Sequence, residues 1–573
     1  MASHSTVKGV YGPGTYTDTV YTPIPKECHR LLKYFADATP GFTSDAEALD
    51  VDFHGDDLPL IPGPLKSQVT SAVFHAMIGI VGKQICKLKG IDTGKVSIDT
   101  DKSGLYPGTP AVVSIDGKMM PDIGHDGTLT KVGKDLDRHV LDRNHMLYRS
   151  WSIYPTKDPK VYYQIMGNLR PVDFLKAYNL NPETPTSSND EAYEVIKKEM
   201  TKYSARELEQ KNMEHGFCGQ TCYTPEQWRQ TTMGQRLAAH PVLNYNRVPE
   251  TPDMPPVPFP QTEDKRPLAG IKVIELGRVI ASPALGAIMT SLGANVIKVQ
   301  GPNLPDIQAL SVQLTADKHT YALDLTKDGD KEKLHELFAD ADVIIQAFRL
   351  RSLERRGFGL NDILAMANKR NKGIVYIDLN CYGPDGYYAE RPGFQQIADA
   401  ASGCSYVCGK AYGFPEGVSV LPSLPIADML SGAAGAVNVL LALRDRATKG
   451  GSYHSTIALT AVDAVQLEEE FGLYPPEIVK KIQDRYNFKP MTPDLHVEEL
   501  LNVVVSAWAS RPDESSGKSS ILARDGYMTT FTTPWGNNHT ILSPIIHYEN
   551  KSANPRWVRG PTPYCYNENV QWT

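Results

Sequence analysis

The chain has 573 residues, 41% of them apolar and 22% charged, with 45 glycines and 42 prolines. One hydrophobic core stops growing near roughly 250 to 300 residues, so two or three domains are expected, and the composition excludes a disordered or collagen-like chain. Lys and Arg total 59 against 66 Asp and Glu; the formal charge of −7 leaves no whole-chain basic field for nucleic acid, and a phosphate-bearing ligand needs a local cationic patch.

From Met1 to Gly12 the chain carries Ser, His and Gly in place of a basic-then-apolar secretory signal, and Gln571-Trp572-Thr573 is not a peroxisomal tripeptide, so a cytoplasmic location is expected. The longest apolar runs, near Ser71 to Ile80 and Ala433 to Leu443, fall short of the roughly 20 residues that cross a bilayer, and no membrane contact is expected. The first strong periodic signal is an apolar helix over Val69 to Leu88. A loop-rich tract with Trp151, Tyr162 and Tyr163 follows, then Gly167-Asn-Leu-Arg-Pro-Val-Asp-Phe174, which can open a helix, and one polar helix over about Asn189 to Asn212. Eight cysteines are few for this length, and reduced thiols are expected. Cys218 with Cys222 and Cys404 with Cys408 have C-x3-C spacing, not the tight C-x2-C of zinc knuckles, so no metal is expected.

Pro249 to Pro267 holds seven prolines in nineteen residues and reads as an extended linker, because proline suits neither a helix interior nor a central strand. Beyond it, strand-like and helix-like runs alternate: Gly270 to Leu276, Pro283 to Leu292, Asn295 to Val299, Tyr321 to Leu325, Lys331 to Ala339, Asp342 to Gln346, Leu360 to Ala367 and Gly373 to Asp378. Repeated βαβ units imply a parallel sheet with its ligand beyond the carboxyl ends of the strands, at the turns starting at Gly277, Ala347 and Leu379. Gly277-Arg-Val-Ile-Ala-Ser282 lacks G-x-G-x-x-G spacing, which disfavours a dinucleotide cofactor.

Leu421-Pro-Ser-Leu-Pro-Ile-Ala-Asp428 then leads into a helix whose first turns are lined by Ser431, Gly432, Ala433, Ala434, Gly435 and Ala436. Asp428 stands where an N-cap belongs. A cap alone is worth about 1 kcal/mol; the alternative is a carboxylate nucleophile kept ionised by the helix end. Sliding the sequence by 364 residues lays the Val69 helix over this one and sets Pro64 opposite Asp428, an overlay that any two apolar helices can produce.

Arg266-Pro-Leu-Ala-Gly-Ile-Lys-Val-Ile-Glu-Leu276, Leu292-Gly-Ala-Asn-Val-Ile-Lys-Val299, Ala341-Asp-Val343 with Phe348, Arg355-Arg-Gly-Phe-Gly359, Tyr382-Gly-Pro384 and Asp428 with its Gly/Ala helix occur in an order that resembles the family III CoA-transferases. The resemblance runs from about Arg266 to Gln466, and Ile541 to Tyr548 with Arg556-Trp557 is similar to the family's closing segment. It implies an α/β fold: a large domain with a Rossmann-like parallel sheet and a smaller α+β domain. It further implies a degenerate N-terminal CoA-transferase-like half over 1–248 that includes the small domain (about 145–245), a linker over 249–267 and a catalytic domain over 268–573. As function it implies an acyl-CoA:carboxylate CoA-transferase taking CoA from acetyl-CoA or succinyl-CoA to an organic acid, with Asp428 as nucleophile. Phe348 and Arg355 would contact CoA, with Arg349, Leu323 and Arg278 beside them. No tightly bound cofactor is implied, and the assembly is a homodimer or a pseudodimeric monomer.

The chain also departs from its likeness. Where the related racemases carry Gly-His-Asp it has Gly393-Phe394-Gln395, and phenylalanine cannot move an α-proton, so racemisation is the weaker alternative. Ile280 replaces the glutamine of the formyl-CoA enzymes, and Gly301, Thr326 and Ala347 stand where some relatives have polar CoA contacts, although Lys327 adjoins one of them. A third alternative is a non-catalytic acyl-CoA-binding protein.

Overall fold

Short runs rich in apolar residues, such as Val343–Gln346 and the Val273-Ile274 centre of Lys272–Leu276, suit strands covered on both faces, and they build the central sheet. The computed structural model describes residues 4–124, 126–132, 144–167, 169–249 and 254–572. The sheet has seven strands: β1 (Asn246–Arg247), β2 (Lys272–Leu276), β3 (Asn295–Gln300), β4 (His319–Ala322), β5 (Val343–Gln346), β6 (Val375–Asn380) and β7 (Tyr453–Ala458). Their order is β1-β7-β6-β5-β2-β3-β4. All pairs are parallel except β1 with β7. From β2 the chain winds outward to β4, returns to β5 and winds the other way, so β2 and β5 flank the point where a ligand crevice forms in doubly wound sheets. The fold is therefore mixed α/β with a large, mostly parallel sheet.

Five helices matter for the site: α1 (Ser67–Leu88), α2 (Ala281–Ser291), α3 (Gln395–Ser402), α4 (Ile426–Lys449) and α5 (Leu459–Val465). The expected apolar runs extend into helices of 22 and 24 residues at α1 and α4, long enough to cross a membrane, but 89% and 100% of their most apolar windows are buried inside the protein. The two pack against each other, and α4 packs against α2 as well. Gly432 makes the α2–α4 approach possible: a Cβ there would lie 2.8 Å from Ala284 Cβ and 3.0 Å from the Leu285 amide nitrogen.

Residues on both sides of the proline-rich stretch share sheets. Val96–Asp99 pairs with Asp52–His54 and with Ile546–Tyr548, and Val113–Ile115 pairs with Gly536–Leu542. Residues 254–260 run without helix or strand; 250–253, inside the expected linker, and Asn168, at an expected helix start, lie outside the described residues. A separate three-stranded antiparallel sheet, Ile153–Pro155, Tyr162–Met166 and Cys218–Thr221, has its own core of Tyr154, Tyr163, Phe174, Tyr178, Ile196 and Leu208. The single polar helix expected there is two, Asn189–Met200 and Ala205–His215. Ser204 ends the continuity by starting the second: its hydroxyl caps the Glu207 N–H and the Glu207 carboxylate accepts the Ser204 N–H at 2.8 Å, a reciprocal capping box.

The element ends also correct the internal register. A shift of 359 residues, not 364, carries the start of α1 onto the start of α4, the end of Val96–Asp99 onto the end of β7, and the start of Thr100–Leu105 onto the start of α5. Apolar helices overlay in several registers, whereas three consecutive element boundaries fix one. In that register Val69, not Pro64, falls opposite Asp428.

Candidate active site

The first turn after β2 is strained and braced. Val279 has φ 66°, a left-handed conformation that is rare for a β-branched residue and costs on the order of 1 to 3 kcal/mol. Asp306, buried, accepts the Val279 N–H at 3.0 Å, the Ile307 N–H at 2.9 Å and the Gln300 side-chain amide at 2.9 Å. The result turns Arg278 outward from the strand end, where its guanidinium donates to the Pro305 carbonyl at 2.7 Å. Beneath the turn, fully buried Glu275 accepts from Lys298 at 2.9 Å and Lys318 at 2.6 Å, and Lys298 also donates to the Gly277 carbonyl at 2.6 Å. Burial lowers the Lys318 pKa to about 8 against the opposing pull of Glu275.

Beyond the strand ends lies a cavity of about 510 Å³, within the size range of small-molecule sites. Arg278, Leu323, Phe348, Arg349 and Arg355 all border it, so the residues expected to contact CoA come together around one cavity. Gly301, Thr326 and Ala347 border it too, while Arg351 turns aside to Glu390 at 3.2 Å. Sequence reasoning missed Arg170 and Arg391, which add cationic groups from the small antiparallel unit's side and from the segment before α3. Arg391 stacks over Tyr388, 3.7 Å from the ring centroid, and pairs with Glu209. Guanidinium groups converging from several loops suit phosphate oxygens, which they bind in a forked geometry. Neither His319 nor His454, which could move a proton in a racemase, lines the cavity; His454 is bound to Asp378 at 2.7 Å.

The inner end of the cavity is made by Asn380, Cys381, Gly393 and Phe394. Gly393 lets the two strand-end segments touch, since a Cβ there would lie 2.3 Å from the Cys381 Cβ. Asp428 lies behind this wall, 5% exposed, and is not itself part of the cavity surface. The helix starts earlier than expected: Pro425 is the N-cap residue and Asp428 sits in the first turn. Its own N–H donates to the Gln395 side-chain oxygen at 2.8 Å, and its carboxyl meets no donor among the described residues. Burial pushes that carboxyl up to about 7, which overturns the expectation that the helix end alone holds it ionised.

Two further buried carboxyls stand behind it, Asp399 on α3 and Asp463 on α5. The first half of the chain also reaches α4: the Tyr106 hydroxyl donates to the Met429 carbonyl at 3.1 Å, and His75 stacks edge-on to Tyr106. In the sequence Gln395 figures only as part of Gly393-Phe394-Gln395, and Asp399, Asp463 and Tyr106 do not stand out; the one available signal is the i, i+4 spacing of Gln395 and Asp399 on one helix face.

The family model described as CoA-transferase family III matches residues 268–490. The chain is 46% identical over 565 residues to an acyl-CoA transferase of Gibberella moniliformis, covering 97% of each chain. It is 31% identical over 421 residues to the acetyl-coenzyme A transferase nodX of Hypoxylon pulicicidum, covering 71% of this chain and 70% of that one. It is 33% identical over 236 residues to the succinyl-CoA–L-malate CoA-transferase beta subunit of Chloroflexus aurantiacus, covering 38% of this chain and 55% of that one.

Proposed function

Because the chain belongs to CoA-transferase family III, and so is a CoA-transferase, we propose that it passes CoA from an acyl-CoA donor to an organic acid through Asp428. The observation that carries this reading is an unpartnered, buried carboxylate directly behind the inner wall of an arginine-ringed cavity at the switch point of the sheet. Relatives named for acetyl- and succinyl-CoA support those two donors. CoA is a substrate here, and no resident cofactor enters the scheme.

The chemistry needs a carboxylate and nothing stronger. Asp428 attacks the donor thioester carbonyl, giving an aspartyl anhydride and releasing the CoA thiolate. The thiolate attacks the aspartyl carbonyl of that anhydride, giving an aspartyl-CoA thioester and the first free acid. The acceptor carboxylate attacks the aspartyl thioester, forming a second anhydride and the thiolate again, and the thiolate takes the acceptor's acyl group, leaving Asp428 as it began. Thioester energy is conserved throughout, without ATP. Arg278, Arg349 and Arg355 hold CoA phosphates, Phe348 and Leu323 line the apolar part, and the wall of Cys381, Gly393 and Phe394 keeps water from the anhydride.

The 359-residue correspondence supports a duplicated origin for the first half, with its own nucleophile position occupied by Val69. The start of α1 is sealed by Lys66, 1% exposed, which bonds Asp18 and Glu27 at 2.6 Å each. This half then stands in for a second subunit, and the molecule acts as a pseudodimeric monomer. Exchange of labelled CoA between donors and a panel of organic acids tests the activity: wild-type protein is expected to exchange with a restricted set of acids, and Asp428→Ala to exchange with none while remaining folded. Exchange by Asp428→Ala at the wild-type rate overturns the assignment.

A further inference from the structure

A second cavity, of about 40 Å³, lies between α1, α2 and the first turn of α4, which border it through His75, Ala287 and Met429. At about 10 to 15 Å³ for each water-sized position, it holds roughly three non-hydrogen atoms. Met429 follows Asp428 in the chain, and its carbonyl accepts the hydroxyl of Tyr106, a bordering residue, at 3.1 Å. The cavity therefore adjoins the turn that carries the nucleophile.

No Lys, Arg, Asp or Glu is among the described residues that border it. His75 is 3% exposed, and its Nδ1 lies 2.8 Å from the Ser71 carbonyl, one turn back on α1. A carbonyl only accepts, so Nδ1 carries the proton and Nε2 presents a lone pair. Nε2 meets no donor among the described residues. Burial lowers the imidazole pKa to about 4, so the ring is neutral and Nε2 remains an acceptor at neutral pH. The Gln313 side-chain oxygen and the Thr109 hydroxyl, on two more bordering residues, are buried without a partner as well. Buried acceptors left unpaired are costly, and what this set lacks is an O–H.

Resting on the assignment of Asp428 as nucleophile, we propose that this cavity receives the tail of the acceptor acid, and that the acceptor is a short aliphatic hydroxy acid whose O–H donates to His75 Nε2. The tail takes no part in the chemistry: the acceptor carboxylate attacks the aspartyl thioester, and no bond to the hydroxyl forms or breaks. A dicarboxylic acid would bring a second negative charge into a space with no cation to meet it, and is refused. His75 and Thr109 belong to the first half of the chain, Ala287, Gln313 and Met429 to the second. The half without a nucleophile thus takes part in choosing the substrate, and His75 is a specificity-determining residue.

Exchange from labelled acetyl-CoA, read as kcat/KM with β-hydroxybutyrate, butyrate, succinate and acetate as acceptors, tests this. Wild-type enzyme is expected to prefer β-hydroxybutyrate to butyrate by about tenfold, and to succinate by more. His75→Leu should bring the first ratio to about one. Ala287→Leu, which fills the cavity instead of removing a group, should lower both four-carbon monoacids about tenfold relative to acetate. Equal values for the two monoacids in wild type, which would mean that the cavity holds water only, overturn the proposal; so does a ratio unchanged in His75→Leu, or a preference for succinate. If His75→Leu does not fold, Ala287→Leu decides, and an unchanged ratio of butyrate to acetate overturns the proposal. Trapping of the acyl group on Asp428 by hydroxylamine separates the two claims: trapping together with any of these contrary results sinks only the role of the cavity, and no trapping on wild-type enzyme sinks the nucleophile.

Discussion

A carboxylate with no donor is an expensive thing to bury, and in the proposed function Asp428 carries that cost for its chemistry. Its pKa of about 7 stands above the 3.8 of an unperturbed aspartate, so the folded state holds its proton more tightly than the unfolded chain does. The stability that the neutral form contributes is present below about pH 4 and is lost as pH rises through 7, at about 1.4 kcal/mol per unit of pKa difference. Asp428→Asn is therefore expected to unfold at a higher temperature than wild type at pH 8 and at nearly the same temperature at pH 4, as scanning calorimetry would read. The same ionisation governs rate: kcat/KM of the wild type should rise with pH to a plateau above about 7, because only the anion attacks. A residue-scale reading of the sequence reaches Asp428 because small residues crowd the turns after it. The closeness of Gln395, Asp399 and Asp463 stays hidden, since they are separated by up to 68 positions and only the packing of three helices makes them neighbours.

Among elements, the strand ends do the positioning, and the buried charges under β2 hold them. A Cβ at Gly286 would fall 2.0 Å from the Glu275 carboxylate and 2.9 Å from the Lys318 ammonium, both locked in a network with no solvent to yield to. Gly286→Ala is expected to cost about 3 kcal/mol or more in urea unfolding, with loss of CoA binding as the β2 turn shifts. On the far side of that turn, Arg278→Ala and Arg355→Ala should each raise KM for acyl-CoA about tenfold with kcat within about twofold, the pattern of binding lost equally from ground and transition states. The alternation of strands and helices was legible because both faces of the sheet are covered and the runs are mostly apolar, with isolated charges such as Glu275 and Lys298 within them. Less legible were the ends. β4 begins at His319 and stops at Ala322, where Tyr321 to Leu325 was expected, because pairing to Ile297–Gln300 of β3, not local β-propensity, decides its extent. The helix-start reading of Asp428 failed for a similar reason: the fixed φ of Pro425 permits the helix to begin one residue after it, two residues before the carboxylate.

Over the whole molecule, the two halves are interlocked. α1 lies along α4, Tyr106 reaches the Met429 carbonyl, and strands before residue 116 pair with strands after 535. The proline-rich stretch is a clear punctuation in sequence, yet folding does not divide the core there, and nothing local in the sequence could show that Val96–Asp99 would find Ile546–Tyr548. Residues 268–573 expressed alone are expected to be insoluble or to lack a cooperative thermal transition, and co-expression with residues 1–248 to restore both, as circular dichroism would follow. If the first half replaces a second subunit, light scattering over a range of concentrations should give the mass of one chain.

The account rests on a covalent bond to one side chain, and peptide mass spectrometry after incubation with acetyl-CoA or succinyl-CoA and hydroxylamine looks for it directly. A hydroxamate on the peptide containing Asp428, absent from Asp428→Asn, is the expected result. Continued CoA exchange with no adduct at Asp428, or an adduct at another residue, would contradict it.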